Sequence, residues 1–197
     1  MILRDKNIET FDQPYPGAKG FFKMEELDNI ECIYASHNLI KDIFGICQLV
    51  TLRELNLSFN LIQDISPIEE LVLLEKLFLN RNKIAVVDPL KKLTSLQTLG
   101  LFHNEIFNGQ KTLEIFAYLG INYKLREISI DGNPITSTTR FKNSMIVAIP
   151  KLETLDEDRV EPLDRQVAEK YFEMHKIDPP CFHTTIAPAE KVGKSEN

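Results

Sequence analysis

Asparagine recurs at positions 38, 60, 82 and 104, each 22 residues after the one before. The stretches leading into them share a pattern: "IECIYASHN", "LRELNLSFN", "LEKLFLNRN" and "LQTLGLFHN", with a fifth copy, "LREISIDGN", ending at Asn133. Behind the first three asparagines the apolar residues keep register too: Ile40, Ile43, Ile46, Leu49; then Ile62, Ile65, Ile68, Leu71; then Ile84, Val87, Leu90, Leu93. All twelve of these positions are aliphatic, a register that chance does not keep. A period of this length means stacked supersecondary units, each too small to bury its own apolar ridge and completed by its neighbours.

Within each unit, a segment such as Leu55-Asn56-Leu57 reads as a short strand. Its two leucines point inward, and the residues between and beside them face solvent on the opposite side. The asparagine falls where the chain turns off the strand and is expected to be buried between coils. Its amide supplies an acceptor and donors for backbone groups that the turn leaves unpaired. That assigns Asn38, Asn60, Asn82, Asn104 and Asn133 to a structural ladder rather than to catalysis.

Three places break the period. From Asn104 to Asn133 the step is 29 residues, and the excess falls in "KTLEIFAYLGINYKL", where Leu113, Phe116 and Leu119 suggest a helical turn or two on the convex side. At the start, aligning Leu3 with Leu57 puts Ile8 and Phe11 on Ile62 and Ile65, so "MILRDKNIETF" reads as the second half of a repeat with Lys6 in the asparagine slot. A proline- and glycine-bearing insertion, "PYPGAKG", follows. After Asn133 comes "PITSTTRFKNSMIVAIPKLETLDEDRVEPLDRQVAEKYF", and from Asp178 the chain has prolines and polar residues without periodicity, the composition of a disordered tail.

The repeat resembles the leucine-rich repeat, with its LxxLxLxxN core. The segment after Asn133 is similar to the C-terminal cap of the short, 22-residue branch of that family: Gly132, Asn133, Pro134, then Phe141 and Lys142, then Pro150, Leu152, Leu155 and Asp156. Phe141-Lys142 stands where Tyr-Arg is usual, and Ile149 where Leu is usual. The regulatory subunit of protein phosphatase 1, dynein light chain 1 and the spliceosomal A-prime protein are of this type. The resemblance implies an α/β fold: a right-handed leucine-rich repeat solenoid with a concave parallel β-sheet and a helical C-terminal cap. It divides the chain into a partial repeat with an irregular insertion (1–26), an array of five coils with the fourth enlarged (27–133), the cap (134–177) and the disordered tail (178–197). It also implies a non-catalytic scaffold that binds protein. A phosphatase regulatory subunit or an axonemal or ciliary component is the narrower alternative.

Composition and chemistry agree with that class. A net charge of −6 has the wrong sign for a general affinity for nucleic acid. No apolar run approaches the roughly 18 residues of a membrane span. Three cysteines, Cys32, Cys47 and Cys181, without a CxxC pair point to a reducing compartment, so the expected location is cytoplasmic, with nucleus or cilium as alternatives. His37 and His103 occupy the same repeat position three coils apart; at roughly 4.8 Å per strand they stand about 14 Å from each other, too far to share a metal. His175 and His183 fall in the cap and the tail. "FNGQKT" lacks the glycine run of a phosphate loop. The acidic residues Glu153, Asp156, Glu157, Asp158 and Glu161 read as solvation of the cap and of a helix start, without the ligand spacing of a calcium loop. No metal, cofactor or nucleophile constellation is expected.

The outward strand positions remain. They form columns: Cys32, Glu54, Lys76, Thr98, Glu127; then Tyr34, Asn56, Phe78, Gly100, Ser129; then Ser36, Ser58, Asn80, Phe102, Asp131; and, before the asparagines, His37, Phe59, Arg81, His103. Such positions are ordinarily polar, yet Tyr34, Phe78 and Phe102 are aromatic. Two readings stand: Phe59 tucks into the spine of turns and Phe78 is an isolated exposed ring, or the rings form a docking patch edged by charge. The second makes Tyr34, Glu54, Asn56, Lys76, Phe78, Asn80, Arg81, Phe102, His103 and Asp131 the expected partner-binding residues. A second expectation concerns the first coil, whose open edge calls for cover by further repeats or by a partner.

Overall fold

The structure is a computed structural model and describes residues 1–11, 27, 29–107, 109–122, 124–138 and 140–176. The insertion at 12–26 and the tail at 178–197, with Cys181 and His183, lie outside the described residues. Each leucine-flanked segment is a three-residue strand: β1 Cys32–Tyr34, β2 Glu54–Asn56, β3 Lys76–Phe78, β4 Thr98–Gly100 and β5 Glu127–Ser129. Two shorter strands, β6 Thr154–Leu155 and β7 Asp158–Arg159, follow from the cap. The seven form one sheet in chain order, parallel from β1 to β6 and antiparallel between β6 and β7. The 22-residue step fixes the register, so Cys32 pairs with Glu54, Glu54 with Lys76, and Lys76 with Thr98; the enlarged fourth coil, a step of 29, pairs Thr98 with Glu127.

The return path of each regular coil shows why its aliphatics recur every third residue. Phe44–Gln48, Ser66–Glu70 and Asp88–Lys92 are 3-10 helices, and three residues per turn put such a series on one edge. Ile46, Ile68 and Leu90 from these edges have no exposed surface, and they meet the inward strand residues Leu55, Leu77 and Leu99 in one continuous core. The architecture is a right-handed solenoid with the parallel sheet on its concave side and the narrow helical turns on its convex side.

The enlarged fourth coil differs from the expectation in extent. Instead of a turn or two it holds helix α1, Gly109–Asn122, about four turns long. Leu113, Ile115, Phe116, Ala117 and Leu119 are all buried, a wider face than an i, i+3 series suggests. The reason is that α1 packs on two sides, against the preceding 3-10 helix and against the cap helix Phe141–Ala148.

The cap comprises α2, Phe141–Ala148, and α3, Pro162–His175. One acidic residue does more there than the solvation expected of it. Asp156 has a left-handed backbone, φ 51°, which turns the chain out of the solenoid. Its carboxylate oxygen accepts the Ile130 and Asp131 N–H groups at 2.5 and 2.8 Å, standing in for backbone carbonyls that a further coil would offer. Glu161 and Asp164 form a reciprocal capping box at the start of α3. From α3, Arg165 reaches back to the carbonyls of Ile146, Ile149 and Leu152 and ties the two cap helices together.

The first residues lie in the register of a half-coil. Ile2 bridges Tyr34 and Thr10 bridges Asp42, both in the parallel sense, and Ile8 and Phe11 are buried. Lys6, in the asparagine slot, contributes only its backbone N–H, which donates to Asn38 Oδ1 at 2.9 Å.

Candidate functional site

The concave face is positioned by the asparagines beneath it. In Asn82, Oδ1 accepts the Ile62 N–H of the preceding coil at 3.0 Å. Its Nδ2 donates to the Leu57 carbonyl of that coil and to the Leu79 carbonyl of its own, both at 3.0 Å. Asn60, Asn104 and Asn133 repeat this three-way bridge, and Asn38 makes it to Ile8 and Leu3. All five are buried. Every coil is therefore tied to the one before it by backbone bonds through a side chain, which makes the sheet above a rigid platform.

The residue before each asparagine pays the conformational cost of the turn. His37, Phe59, Arg81 and His103 have φ of 58°, 59°, 54° and 52°, and Gly132 has 74° in the fifth coil. For residues with a Cβ this left-handed region is unfavourable by about 1–2 kcal/mol, so the asparagine bonds must hold it. The geometry also throws these side chains outward. Phe59 is 41% exposed rather than tucked into the spine, and its ring stacks on His37 at 4.1 Å with 12° between planes. The Arg81 guanidinium lies over both Phe59 and Phe102, 5.5 and 5.7 Å from their centroids. Phe102 in turn meets His103 edge-on at 4.1 Å. A Cβ at Gly132 would stand 2.6 Å from His103 Nδ1, so the glycine leaves room for that imidazole. The result is one row of alternating rings and cation along the edge of the sheet.

Beside this row lie the strand columns. Tyr34, Asn56 and Phe78 are half-buried neighbours in register, and Glu54 and Lys76 pair alongside them. Burial first, and then the Glu54 carboxylate, holds the Tyr34 phenol above its ordinary pKa. Asn80 turns its side chain across Gly100 and accepts the Phe102 N–H at 2.9 Å. Asp131 is exposed at the cap end. Ser58, expected to face solvent, is buried at 5%: its short side chain lies beside Asn56, whose Oδ1 accepts the Ser58 N–H. Of the ten expected partner-binding residues, Arg81, Phe102 and His103 form one contact network and Tyr34 with Glu54 another. His37 and Phe59 belong with the first network although they were left out of the expected set. The signal available for them was the shared column with Gly132, a glycine where a left-handed turn is needed.

Residues 28–70 match the family described as Leucine Rich repeats (2 copies). The chain carries leucine-rich repeats. No curated protein sequence matches it. Among solved structures, the repeat array is similar to an internalin (inlF) from Listeria monocytogenes, at 23% identity and a TM-score of 0.57, over 66% of this chain and 36% of that one. It is similar as well to internalin C2 (inlC2) from the same organism, at 25% identity and a TM-score of 0.52, over 64% of this chain and 50% of that one. The SNF/U2A' complex of Drosophila melanogaster matches over 87% of this chain and 80% of that chain at 22% identity, with a TM-score of 0.49. The leucine-rich repeat chain thus spans 36% and 50% of the lengths of the two internalins, and what it shares with them is the fold.

Proposed function

We propose that this leucine-rich repeat chain is a non-catalytic interaction module that holds a protein partner against its concave face. The observation that carries this reading is the cluster of half-exposed rings with an arginine between them, Phe59, Arg81, Phe102 and neighbouring Phe78, on a sheet whose turns are locked from below. Aromatic residues and arginine dominate binding hot spots, and a rigid platform lowers the entropy lost on docking. Protein is favoured over nucleic acid by charge. The face sets Glu54, Glu127 and Asp131 against Lys76 and Arg81, within a chain of net charge −6.

The test is affinity capture from cell extract with the wild-type chain, the Phe78→Ala/Phe102→Ala double variant and a convex control, Phe44→Ala, which removes an exposed ring from the opposite side. The double variant is expected to lose at least about tenfold in affinity for the captured protein, with an unchanged denaturation midpoint. The control is expected to match wild type. Affinity that survives the double change rules out the concave patch as the docking site.

A further inference from the structure

Next to the ring row, the concave face holds a depression of about 240 Å³ lined in part by Phe78, Asn80, Gly100, Glu127, Ser129 and Glu157. In the column Tyr34, Asn56, Phe78, Gly100, Ser129 the fourth coil supplies no Cβ; the Asn80 side chain takes that place, its Oδ1 2.8 Å from where a Cβ would stand, and the two together line the depression. Phe78 forms one wall. Two acidic residues from different parts of the fold also line it: Glu127 on β5, and Glu157 in the left-handed turn between β6 and β7 (φ 71°).

The two acids are arranged but not neutralised. Thr98 Oγ1 donates to Glu127 Oε2 at 2.9 Å, which orients that carboxylate and leaves its other oxygen available. Among the described residues, no lysine or arginine forms an ion pair with Glu127 or Glu157. In the same row of the sheet, Lys76 on β3 and Arg159 on β7 each stand two strands from Glu127; Arg159 pairs with Glu161 at 3.6 Å, and Arg81 lies over Phe59 and Phe102. Phe78, unlike those two rings, has no guanidinium over it among the described residues.

We propose that this depression receives an arginine side chain from the protein partner, the guanidinium stacking on Phe78 and bonding to Glu127 and Glu157. The proposal rests on the docking reading above and names the chemistry at its centre. About 240 Å³ lies below the roughly 300–1,000 Å³ of small-molecule pockets, but it admits one long side chain. Two carboxylates and a ring face match arginine better than lysine, because the planar fork bonds two acceptors while its face stacks, and an ammonium does neither in fixed geometry. The same pairing of guanidinium with rings already occurs within the chain at Arg81.

The experiment is a titration of the full, 15N-labelled chain with Nα-acetyl-arginine amide, Nα-acetyl-lysine amide and the neutral isostere Nα-acetyl-citrulline amide, followed at backbone amides. Arginine amide is expected to give saturable shifts at Gly100, Ile128 and Ser129, with citrulline and lysine amides weaker by about tenfold or more. Glu127→Gln/Glu157→Gln is expected to bring arginine down to the citrulline level without moving the denaturation midpoint. Absence of saturable shifts at these amides, citrulline or lysine equal to arginine, or binding that survives the double Gln change would each overturn the proposal. None of those results bears on capture through Phe78 and Phe102. Conversely, capture that survives loss of both rings sinks the docking reading while the titration still reports on the depression alone.

Discussion

Leu79→Ala is expected to lower the free energy of unfolding by about 2–5 kcal/mol. Leu79 has no exposed surface and stands in one inward row with Leu57 and Leu101 of the adjoining coils, both equally buried. Deleting its three terminal carbons removes contacts to both neighbours. The backbone cannot close the gap, because Asn82 and Asn104 both bond the Leu79 carbonyl and fix its height. In a solenoid the loss is felt at two interfaces, since each coil is stable only through the coils beside it. Denaturant titration followed by circular dichroism reads the effect. A midpoint close to wild type would mean that the coils are not coupled through this row.

Asn82→Ala is expected to destabilise by about 1–3 kcal/mol, because the buried Ile62 N–H loses its acceptor; the carbonyls of Leu57 and Leu79 each lose one of two donors and keep those of Asn60 and Asn104. The substitution also loosens the left-handed turn of Arg81, φ 54°, leaving it the bond from its own N–H to the Phe102 carbonyl at 2.7 Å. Loss of the turn should scatter Arg81 away from Phe59 and Phe102. The variant should therefore weaken partner capture more than its stability alone accounts for, and hydrogen exchange should rise first at Ile62 and Arg81. Asn82→Asp is not expected to rescue it: the acceptor returns, but a carboxylate oxygen then faces two carbonyls with no donor between them. Unchanged exchange at Ile62 in the Ala variant would contradict the bridging role.

The strands, their register and the burial of the asparagines could be read in the sequence because one period fixes all three. Once Asn38, Asn60, Asn82 and Asn104 are aligned, every inward and outward position follows from strand alternation. The side chains at the turn were harder. Phe59 and Arg81 are not residues that favour a left-handed backbone, and the hint lay in Gly132 and, more weakly, in His37 and His103 of the same column. That conformation decides which way Phe59 points, so spacing alone left two readings open. Helix α1 was underestimated because part of its buried face packs on α2 of the cap, a contact that no local period encodes. The role of Asp156 was hidden for a related reason: it bonds backbone groups 25 and 26 residues upstream. The depression at Gly100 could have been found from its column, where a glycine follows Phe78, but its second acid comes from a turn in the cap.

Docking on the concave face is tested most directly by site-specific photocrosslinking. A benzophenone amino acid is placed at Lys76, exposed on β3, in one variant, and at Phe44, 62% exposed on a convex 3-10 helix, in another. Each is irradiated in cell extract with and without excess unlabelled wild-type chain. The account predicts a discrete crosslinked protein from the Lys76→benzoylphenylalanine chain, suppressed by the wild-type competitor, and none from the Phe44→benzoylphenylalanine chain. A competed crosslink from position 44 with none from position 76 would contradict it.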